Sequence, residues 1–343
     1  MLLDTSTVWR MSDFPLSGGA RLDTLELAYE TWGALAPDGN NAILLCHGYT
    51  NNPHAAGDKA GWWHNLIGPG CAIDTDKYFV VCINMLGSAF GSSGPATVNP
   101  ATGQPFGPDF PAFAVSDIAQ SQRRLLDHLG VAQLAAVIGY SYGGHLAFHW
   151  AHTFPDRVRA AVVVASAIKG RGDRSSVTAL EQRFAQCAGW HGGHYYAGDP
   201  TASVAATLKA MRLETLRSYH VDESLRTQLG DAAAAARRLD ELAQWWAGHF
   251  DANSLIVLRR AAVQFDAPPA VAMMRAPLLY VLASSDALFG PELAKPTMAL
   301  LRDAGVAAEY FEIDSAFGHH APVSDWAKWA PVLRDFLTRT TGL

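Results

Sequence analysis

The chain has 343 residues, of which 49% are hydrophobic, enough apolar material for the core of one large domain or two small ones. Its net charge of -6 and the lack of a basic stripe argue against nucleic acid as a partner, and no stretch is apolar for long enough to span a bilayer. The amino terminus does not have the pattern of a signal peptide. We therefore expect a globular protein of the cytoplasm that acts on small molecules.

The first part of the chain alternates predicted strands with a predicted helix. Residues 22–32 alternate apolar and polar side chains, which is typical of a half-buried antiparallel strand. Continuous apolar runs at residues 42–46 and 78–85 are typical of strands buried on both faces. A loop rich in Gly, Pro, Ser and Asn covers residues 86–111, and residues 113–129 have helical spacing. This alternation predicts a mostly parallel sheet with helices on both faces.

The later part of the chain contains one long interruption of this pattern. Residues 159–165 predict another buried strand, but residues 170–266 contain no convincing strand and are rich in helix-forming residues. Strands return at residues 277–283 and 307–313, each followed by a predicted helix. The sequence thus predicts an α/β core with a helical cap, divided as follows: residues 1–169, first part of the core; residues 170–268, cap; residues 269–343, second part of the core.

A short turn in the middle of the chain supplies the candidate nucleophile. Residues 135–138 form an apolar β-branched run, and the sequence Gly139-Tyr-Ser-Tyr-Gly143 joins it to a segment with helical spacing. A G-x-S-x-G turn between a strand and a helix is so tight that its glycines are needed to relieve crowding, and it exposes the serine hydroxyl above the sheet. Ser141 is therefore the predicted nucleophile.

A serine nucleophile needs a base and a group that orients the base. In folds with this turn, the acid and then the histidine follow late strands. Asp286 follows the strand at residues 277–283, and His319 lies in the loop after the next strand, so we predict a Ser141, Asp286 and His319 triad. Asp314 and His320 are the nearest alternatives. No metal site is predicted.

Two backbone amides are candidates for an oxyanion hole. One is the N–H of Tyr142, the residue after the nucleophile, and the other is the N–H of Tyr49, in the loop after an early strand. Because these are main-chain groups, both side chains are free to shape the pocket.

Longer motifs make the chain resemble the homoserine O-acetyltransferase family of α/β hydrolases, which also includes esterases. The resemblance covers most of the chain and implies the α/β-hydrolase fold, with the family's triad at Ser141, Asp286 and His319 and its oxyanion loop at Tyr49. It also implies ping-pong acyl transfer from an ester or thioester, and it leaves a homodimer open because related enzymes are commonly dimers. The motifs are Gly61-Trp-Trp-His-Asn-Leu-Ile-Gly-Pro-Gly70, Ile73-Asp-Thr-Asp-Lys-Tyr-Phe-Val-Val81, Gly91-Ser-Ser-Gly-Pro95, Asn99-Pro-Ala-Thr-Gly-Gln-Pro-Phe-Gly107, Asp109-Phe-Pro111, Phe250-Asp-Ala-Asn-Ser254 and Ser285-Asp-Ala-Leu-Phe289.

The chain departs from the family near the expected acceptor site. It has tyrosines at Tyr49, Tyr140 and Tyr142, and His320 stands where the family usually has an Asp that holds the acceptor's ammonium group. We therefore expect Tyr140 and His320 to contribute to substrate binding. These departures favour a serine ester hydrolase for short-chain acyl esters. The alternative is an acyl-CoA-dependent O-acyltransferase with acetyl-CoA as co-substrate, and neither function requires a cofactor.

Overall fold

A central sheet of eight strands organises the protein, which we describe from a computed structural model covering residues 3–197 and 201–343. Two further short strands, β4 and β5, pair with each other. The strands are β1 (Thr7–Pro15), β2 (Arg21–Trp32), β3 (Ala42–Cys46), β4 (Ile67–Gly68), β5 (Ile73–Asp74), β6 (Phe79–Ile83), β7 (Leu134–Tyr140), β8 (Ala161–Val164), β9 (Leu278–Ala283) and β10 (Ala308–Ile313).

The helices lie between and after these strands. They are α1 (Val115–His128), α2 (Tyr142–Thr153), α3 (Arg174–Ala185), α4 (Thr201–Ser218), α5 (Val221–Leu229), α6 (Ala232–His249), α7 (Ala252–Val263), α8 (Ala294–Asp303), α9 (Ala321–Ser324) and α10 (Trp326–Thr341). None of the helices in the described ranges is long and apolar enough to cross a membrane.

The strand order of the large sheet is β1-β2-β6-β3-β7-β8-β9-β10. The pairs from β6 to β10 are parallel, whereas β2 is antiparallel to both of its neighbours. The carboxyl ends of the parallel strands therefore meet at one edge, where open α/β sheets bind their ligands. The sequence-based prediction of an α/β, mostly parallel sheet is confirmed.

The parallel strands are buried on both faces because helices cover both sides of the sheet. On one face, Leu44 and Val137 pack in the same apolar cluster as Trp150 of α2. On the other, Ile43 packs in a cluster with Trp329 of α10. Full burial of one such side chain contributes roughly 1.5–3 kcal/mol, so the two apolar layers fix the position of the strand ends that carry the site.

Strand β1 was not predicted from the sequence. It pairs with β2 at the sheet edge, and most of its side chains are exposed or partly buried, so it lacks the apolar run that marks a core strand. The helix predicted after the last strand is divided into the short α9 and the longer α10.

The described residues between β8 and β9 form helices α3 to α7 and no strand. They contribute Phe184, Trp190, Trp246 and Phe250 to an apolar cluster that also includes Phe90 from the loop after β6. At the base of this segment, Gly170 N–H donates to the carbonyl of Phe265 at 2.7 Å. The division into core and cap, with boundaries at residues 170 and 268, stays a prediction.

A partly buried ionic network connects the amino-terminal residues to the loop after β3. His54 lies between two carboxylates, with Nδ1 2.8 Å from Glu30 Oε2 and Nε2 3.0 Å from Asp58 Oδ1. Thr5 and Ser6 donate hydroxyl hydrogen bonds to Glu30 Oε1. Burial alone would lower the pKa of His54, but its hydrogen bonds to Asp58 and Glu30 raise that pKa above the ordinary value.

We expect His54→Gln to destabilise the fold at acidic but not at alkaline pH. Because the pKa of folded His54 is raised, its stabilisation is fully present below the unfolded pKa of about 6.5 and is lost as pH rises through the folded value. Denaturant unfolding should show a loss on the order of 1 kcal/mol near about pH 6 that shrinks by about pH 9. His64→Gln is the control, since His64 bonds only the carbonyl of Gly61. Equal losses at both pH values would contradict a charged His54.

Candidate active site

The turn between β7 and α2 holds Ser141 in a strained backbone conformation. Its φ is 56° and its ψ is -118°, a combination that non-glycine residues rarely adopt. The two glycines of the turn are sterically required: a Cβ on Gly143 would lie 1.8 Å from the carbonyl oxygen of Cys46, and one on Gly139 would lie 2.0 Å from that of Gly143. The turn has the geometry of a nucleophile elbow, with Ser141 at its apex.

Ser141, His319 and Asp286 form one chain of hydrogen bonds. Ser141 Oγ is 2.9 Å from His319 Nε2, and His319 Nδ1 is 2.8 Å from Asp286 Oδ2. The three residues come from the ends of β7, β9 and β10, which the sheet brings together. The side chains of the alternatives, Asp314 and His320, do not enter this chain of bonds.

The environment of Asp286 keeps its carboxylate charged. Burial alone would raise its pKa, but hydrogen bonding to His319 and to the amides of Leu288 and Phe289 holds that pKa below the ordinary value. A carboxylate can only accept, so His319 Nδ1–H donates to it and Nε2 keeps a lone pair. Nε2 can therefore accept the proton of the Ser141 hydroxyl.

Aromatic rings surround the His319 imidazole. Tyr140 stacks on it at 5.4 Å between ring centroids, and Tyr219 and Phe289 approach it at 4.6 and 5.8 Å. The Tyr140 hydroxyl also donates to the backbone carbonyl of His319 at 2.7 Å. Tyr140 lines the cavity and its hydroxyl is occupied in holding His319, so its role in substrate binding stays a prediction.

The predicted oxyanion-hole residues flank Ser141. The loop after β3 lies against the nucleophile, since a Cβ on Gly48 would be 3.6 Å from Ser141 Cβ. Tyr142 is the first residue of α2, where backbone N–H groups have no partner within the helix. The amides of Tyr49 and Tyr142 therefore belong to the two segments from which an oxyanion hole is built.

The side chains of Tyr49 and Tyr142 attach these two segments to α7. Their rings stack at 5.9 Å, and their hydroxyls donate to the carbonyls of Leu255 and Leu258 respectively. The adjacent His47 donates from Nδ1 to the carbonyl of Gly48 at 2.8 Å, and burial lowers its pKa to about 4, so it stays neutral. Hydrogen bonds to α7 and the bond from His47 thus hold the backbone of the candidate oxyanion hole in place.

Ser141 opens onto a cavity of about 580 Å³ that is also lined by a partly buried cation, Arg212. Arg212 of α4 donates to Thr50 Oγ1 at 2.8 Å and lies over the Trp246 ring at 5.2 Å. Its Nε has no hydrogen-bond partner, and no carboxylate among the described residues lies within 4 Å of it. Burial lowers the pKa of Arg212 to about 10, which still leaves it charged at neutral pH.

His320 lines the same cavity, and its role in substrate binding stays a prediction. Burial and the nearby His319 and Arg212 lower the pKa of His320 to about 4, so it is uncharged at neutral pH. Arg212 was not singled out from the sequence, because nothing in the composition of α4 distinguishes it from the exposed Arg217. Among the described residues, no group of three or more His, Cys, Asp or Glu is placed to hold a metal ion.

Comparison with known proteins supports the fold and the family. The family model of the alpha/beta hydrolase fold matches residues 41–324. A homoserine O-acetyltransferase from Symbiobacterium thermophilum is 39% identical over 353 residues, covering 94% of this chain and 91% of that protein. Both the predicted fold and the predicted family are thereby confirmed.

Two solved structures similar to this chain are those of an acetyltransferase and an esterase, the two functions that the sequence left open. Homoserine O-acetyltransferase from Bacillus anthracis has a TM-score of 0.85 and 26% identity, covering 98% of this chain and 98% of that chain. Esterase E22 has a TM-score of 0.84 and 27% identity, covering 97% of this chain and 99% of that chain. The chain is therefore an enzyme, a hydrolase or an acyltransferase, and it belongs to the homoserine O-acetyltransferase family of α/β hydrolases.

Proposed function

We propose that the enzyme transfers an acyl group from an acyl thioester such as acetyl-CoA, through Ser141, to the hydroxyl group of a small acceptor that carries a carboxylate. The observation that carries this proposal is the Arg212 guanidinium. It is a partly buried cation whose Nε is fully buried, it has no acidic partner among the described residues, and it lines the same cavity as Ser141. A bound carboxylate would supply the missing charge and an acceptor for the free Nε.

The first half of the reaction acylates the enzyme. His319 Nε2 takes the Ser141 hydroxyl proton while Oγ attacks the thioester carbonyl. The amides of Tyr49 and Tyr142 bind the oxygen that becomes negative, and Asp286 stabilises the imidazolium. Collapse of the intermediate breaks the carbon–sulfur bond, and His319 returns the proton to the leaving thiolate.

The second half transfers the acyl group. The acceptor hydroxyl gives its proton to His319 Nε2, and its oxygen attacks the acyl-serine carbonyl. The same oxyanion hole serves this intermediate, and His319 then returns the proton to Ser141 Oγ as the ester leaves. Arg212 would hold the acceptor carboxylate so that the hydroxyl lies within reach of the acyl carbon.

Ester hydrolysis, with water as the acceptor, is the second candidate function. The neutral His320 and the aromatic rings of the cavity favour it, because neither provides a charged contact that a polar acceptor would need. We place it second because Arg212 is unpaired and because a relative that is 39% identical to this chain is an acyltransferase by name. A cytoplasmic location and a homodimer stay predictions.

The test compares acceptors with and without a carboxylate. CoA release from acetyl-CoA should rise by about ten-fold or more with 4-hydroxybutyrate, but not with 1-butanol, which has the same hydroxyl and no charge. Ester cleavage by water with no acceptor-dependent CoA release would contradict transfer and leave hydrolysis as the function.

Removal of the Arg212 charge should raise KM for a carboxylate-bearing acceptor. A charge-assisted contact contributes about 1.5–3 kcal/mol, so Arg212→Gln should weaken acceptor binding by about 10- to 100-fold with a smaller effect on kcat. Arg217→Gln is the matched control, since Arg217 is an exposed arginine of the same helix. An unchanged KM in Arg212→Gln would contradict the proposed carboxylate site.

A further inference from the structure

We infer that the acceptor carries a carboxylate but no ammonium group, so that it is a simple hydroxy acid and not an amino acid. This inference rests on the proposed function, because it specifies the acceptor that the Ser141 cavity receives. It follows from the charges of the cavity wall, which includes cations and neutral polar groups but no acid.

No Asp or Glu of the described chain lines the cavity, whereas Arg212 and the exposed Lys59 both do. Arg238 also lines it, but this side chain is paired with Glu241 at 3.1 Å. The carboxylate of Asp286 lies behind His319 with its side chain fully buried, and both of its oxygens accept hydrogen bonds. An ammonium group in the cavity would therefore have no counter-ion and would be repelled by Arg212.

Aromatic rings do not replace the missing acid. A tryptophan face can bind a cation, but the Trp246 ring already carries the Arg212 guanidinium at 5.2 Å. Trp62 packs against Trp63 at 4.8 Å and against Tyr140 at 6.3 Å. Trp62 and Trp246 thus already have partners, and a cation–π contact with another ring is weaker than a charge-assisted contact with an acid.

The neutral polar groups of the wall do not replace the missing acid either, because none of them carries a negative charge. The backbone carbonyl of Asn52 accepts from Trp62 Nε1 at 3.1 Å, and the Gln228 amide donates to Ser224 at 3.1 Å. His320 is uncharged at neutral pH, and protonation would make it a further cation. The wall that faces Ser141 is therefore suited to a net negative acceptor and unsuited to a zwitterion.

The test uses two acceptors that differ only in the amino group. L-Homoserine and 4-hydroxybutyrate have the same terminal hydroxyl and the same carboxylate, and only homoserine carries an ammonium group. With acetyl-CoA as donor, we expect kcat/KM for 4-hydroxybutyrate to exceed that for L-homoserine by about ten-fold or more. An equal or higher kcat/KM for L-homoserine would overturn the inference.

The same comparison works in the direction of ester cleavage. We expect 4-acetoxybutyrate to be cleaved about ten-fold or more faster than O-acetyl-L-homoserine, measured as kcat/KM for acetate release. This result without any acceptor-dependent CoA release would end the transfer proposal and leave the charge preference of the site intact. Acceptor-dependent CoA release that is faster with L-homoserine than with 4-hydroxybutyrate would support the transfer proposal and contradict the inferred charge preference.

A variant with an added acid tests the cause of the preference. His320→Asp introduces a carboxylate into the cavity, and it should raise kcat/KM for L-homoserine relative to 4-hydroxybutyrate by about ten-fold or more. His320→Asn removes the imidazole without adding charge and should keep the preference for 4-hydroxybutyrate. An unchanged ratio in a folded His320→Asp protein would show that charge at this wall does not select the acceptor.

Discussion

Ser141→Ala is expected to reduce turnover of acetyl-CoA and of acetyl esters on the order of 10⁴-fold or more, because no other nucleophile lies at the elbow. Alanine retains the Cβ and removes only the hydroxyl that is 2.9 Å from His319 Nε2. The folded structure should therefore persist, and initial rates with purified protein measure the loss.

The control for this variant is Ser218→Ala. Ser218 is exposed near the end of α4, and its hydroxyl only donates to the carbonyl of Thr215. Its turnover should match that of the unmodified enzyme. Retention of more than about a hundredth of the activity in Ser141→Ala would mean that the acyl group does not pass through Ser141.

Asp286→Asn is expected to reduce kcat on the order of 10³- to 10⁴-fold while changing KM little. An amide can present its NH₂ group to His319 Nδ1, and this would favour the tautomer that carries hydrogen on Nε2. Such an imidazole cannot accept the Ser141 proton. Loss of the negative charge would also remove the stabilisation of the imidazolium.

Asp314→Asn is the matched control for Asp286→Asn, because Asp314 was the alternative acid in the sequence. Its side chain is exposed and lies outside the Ser141–His319–Asp286 chain of hydrogen bonds. We expect its kcat to stay within about two-fold of the unmodified enzyme. A larger loss of kcat in Asp314→Asn than in Asp286→Asn would mean that Asp314, and not Asp286, is the acid that orients His319.

The sequence predicted the parts of the fold that depend on local pattern. The continuous apolar runs of β3 and β6 predict buried strands directly, and the two glycines around Ser141 mark the elbow because no other residue fits there. Asp286 and His319 were located by their position after β9 and β10. The edge strand β1 was missed, since its exposed side chains give no core signal.

The features that distinguish the cavity depend on contacts between distant segments. Arg212 is one of several arginines in helical sequence, and only the folding of α4 over the loop after β3 brings it beside Thr50. The hydroxyls of Tyr49 and Tyr142 bind carbonyls of α7, more than 100 residues away in the chain. No local sequence pattern predicts such contacts between distant segments.

These contacts also change the balance between the two candidate functions. From the sequence alone, the loss of the family's Asp at position 320 favoured hydrolysis. The cavity retains an unpaired cation, however, and this cation could bind the carboxylate of an acceptor. Transfer to an anionic acceptor accounts for both the presence of Arg212 and the absence of an acid at His320.

Detection of an acyl-enzyme tests the central claim most directly. The protein is mixed with acetyl-CoA, quenched in acid and digested, and the peptide that contains Ser141 is analysed by mass spectrometry. We predict one acetyl group on Ser141, which disappears when 4-hydroxybutyrate is added before the quench while the acetyl ester forms. Turnover of acetyl-CoA with no acetyl group on Ser141 at any time would contradict the account.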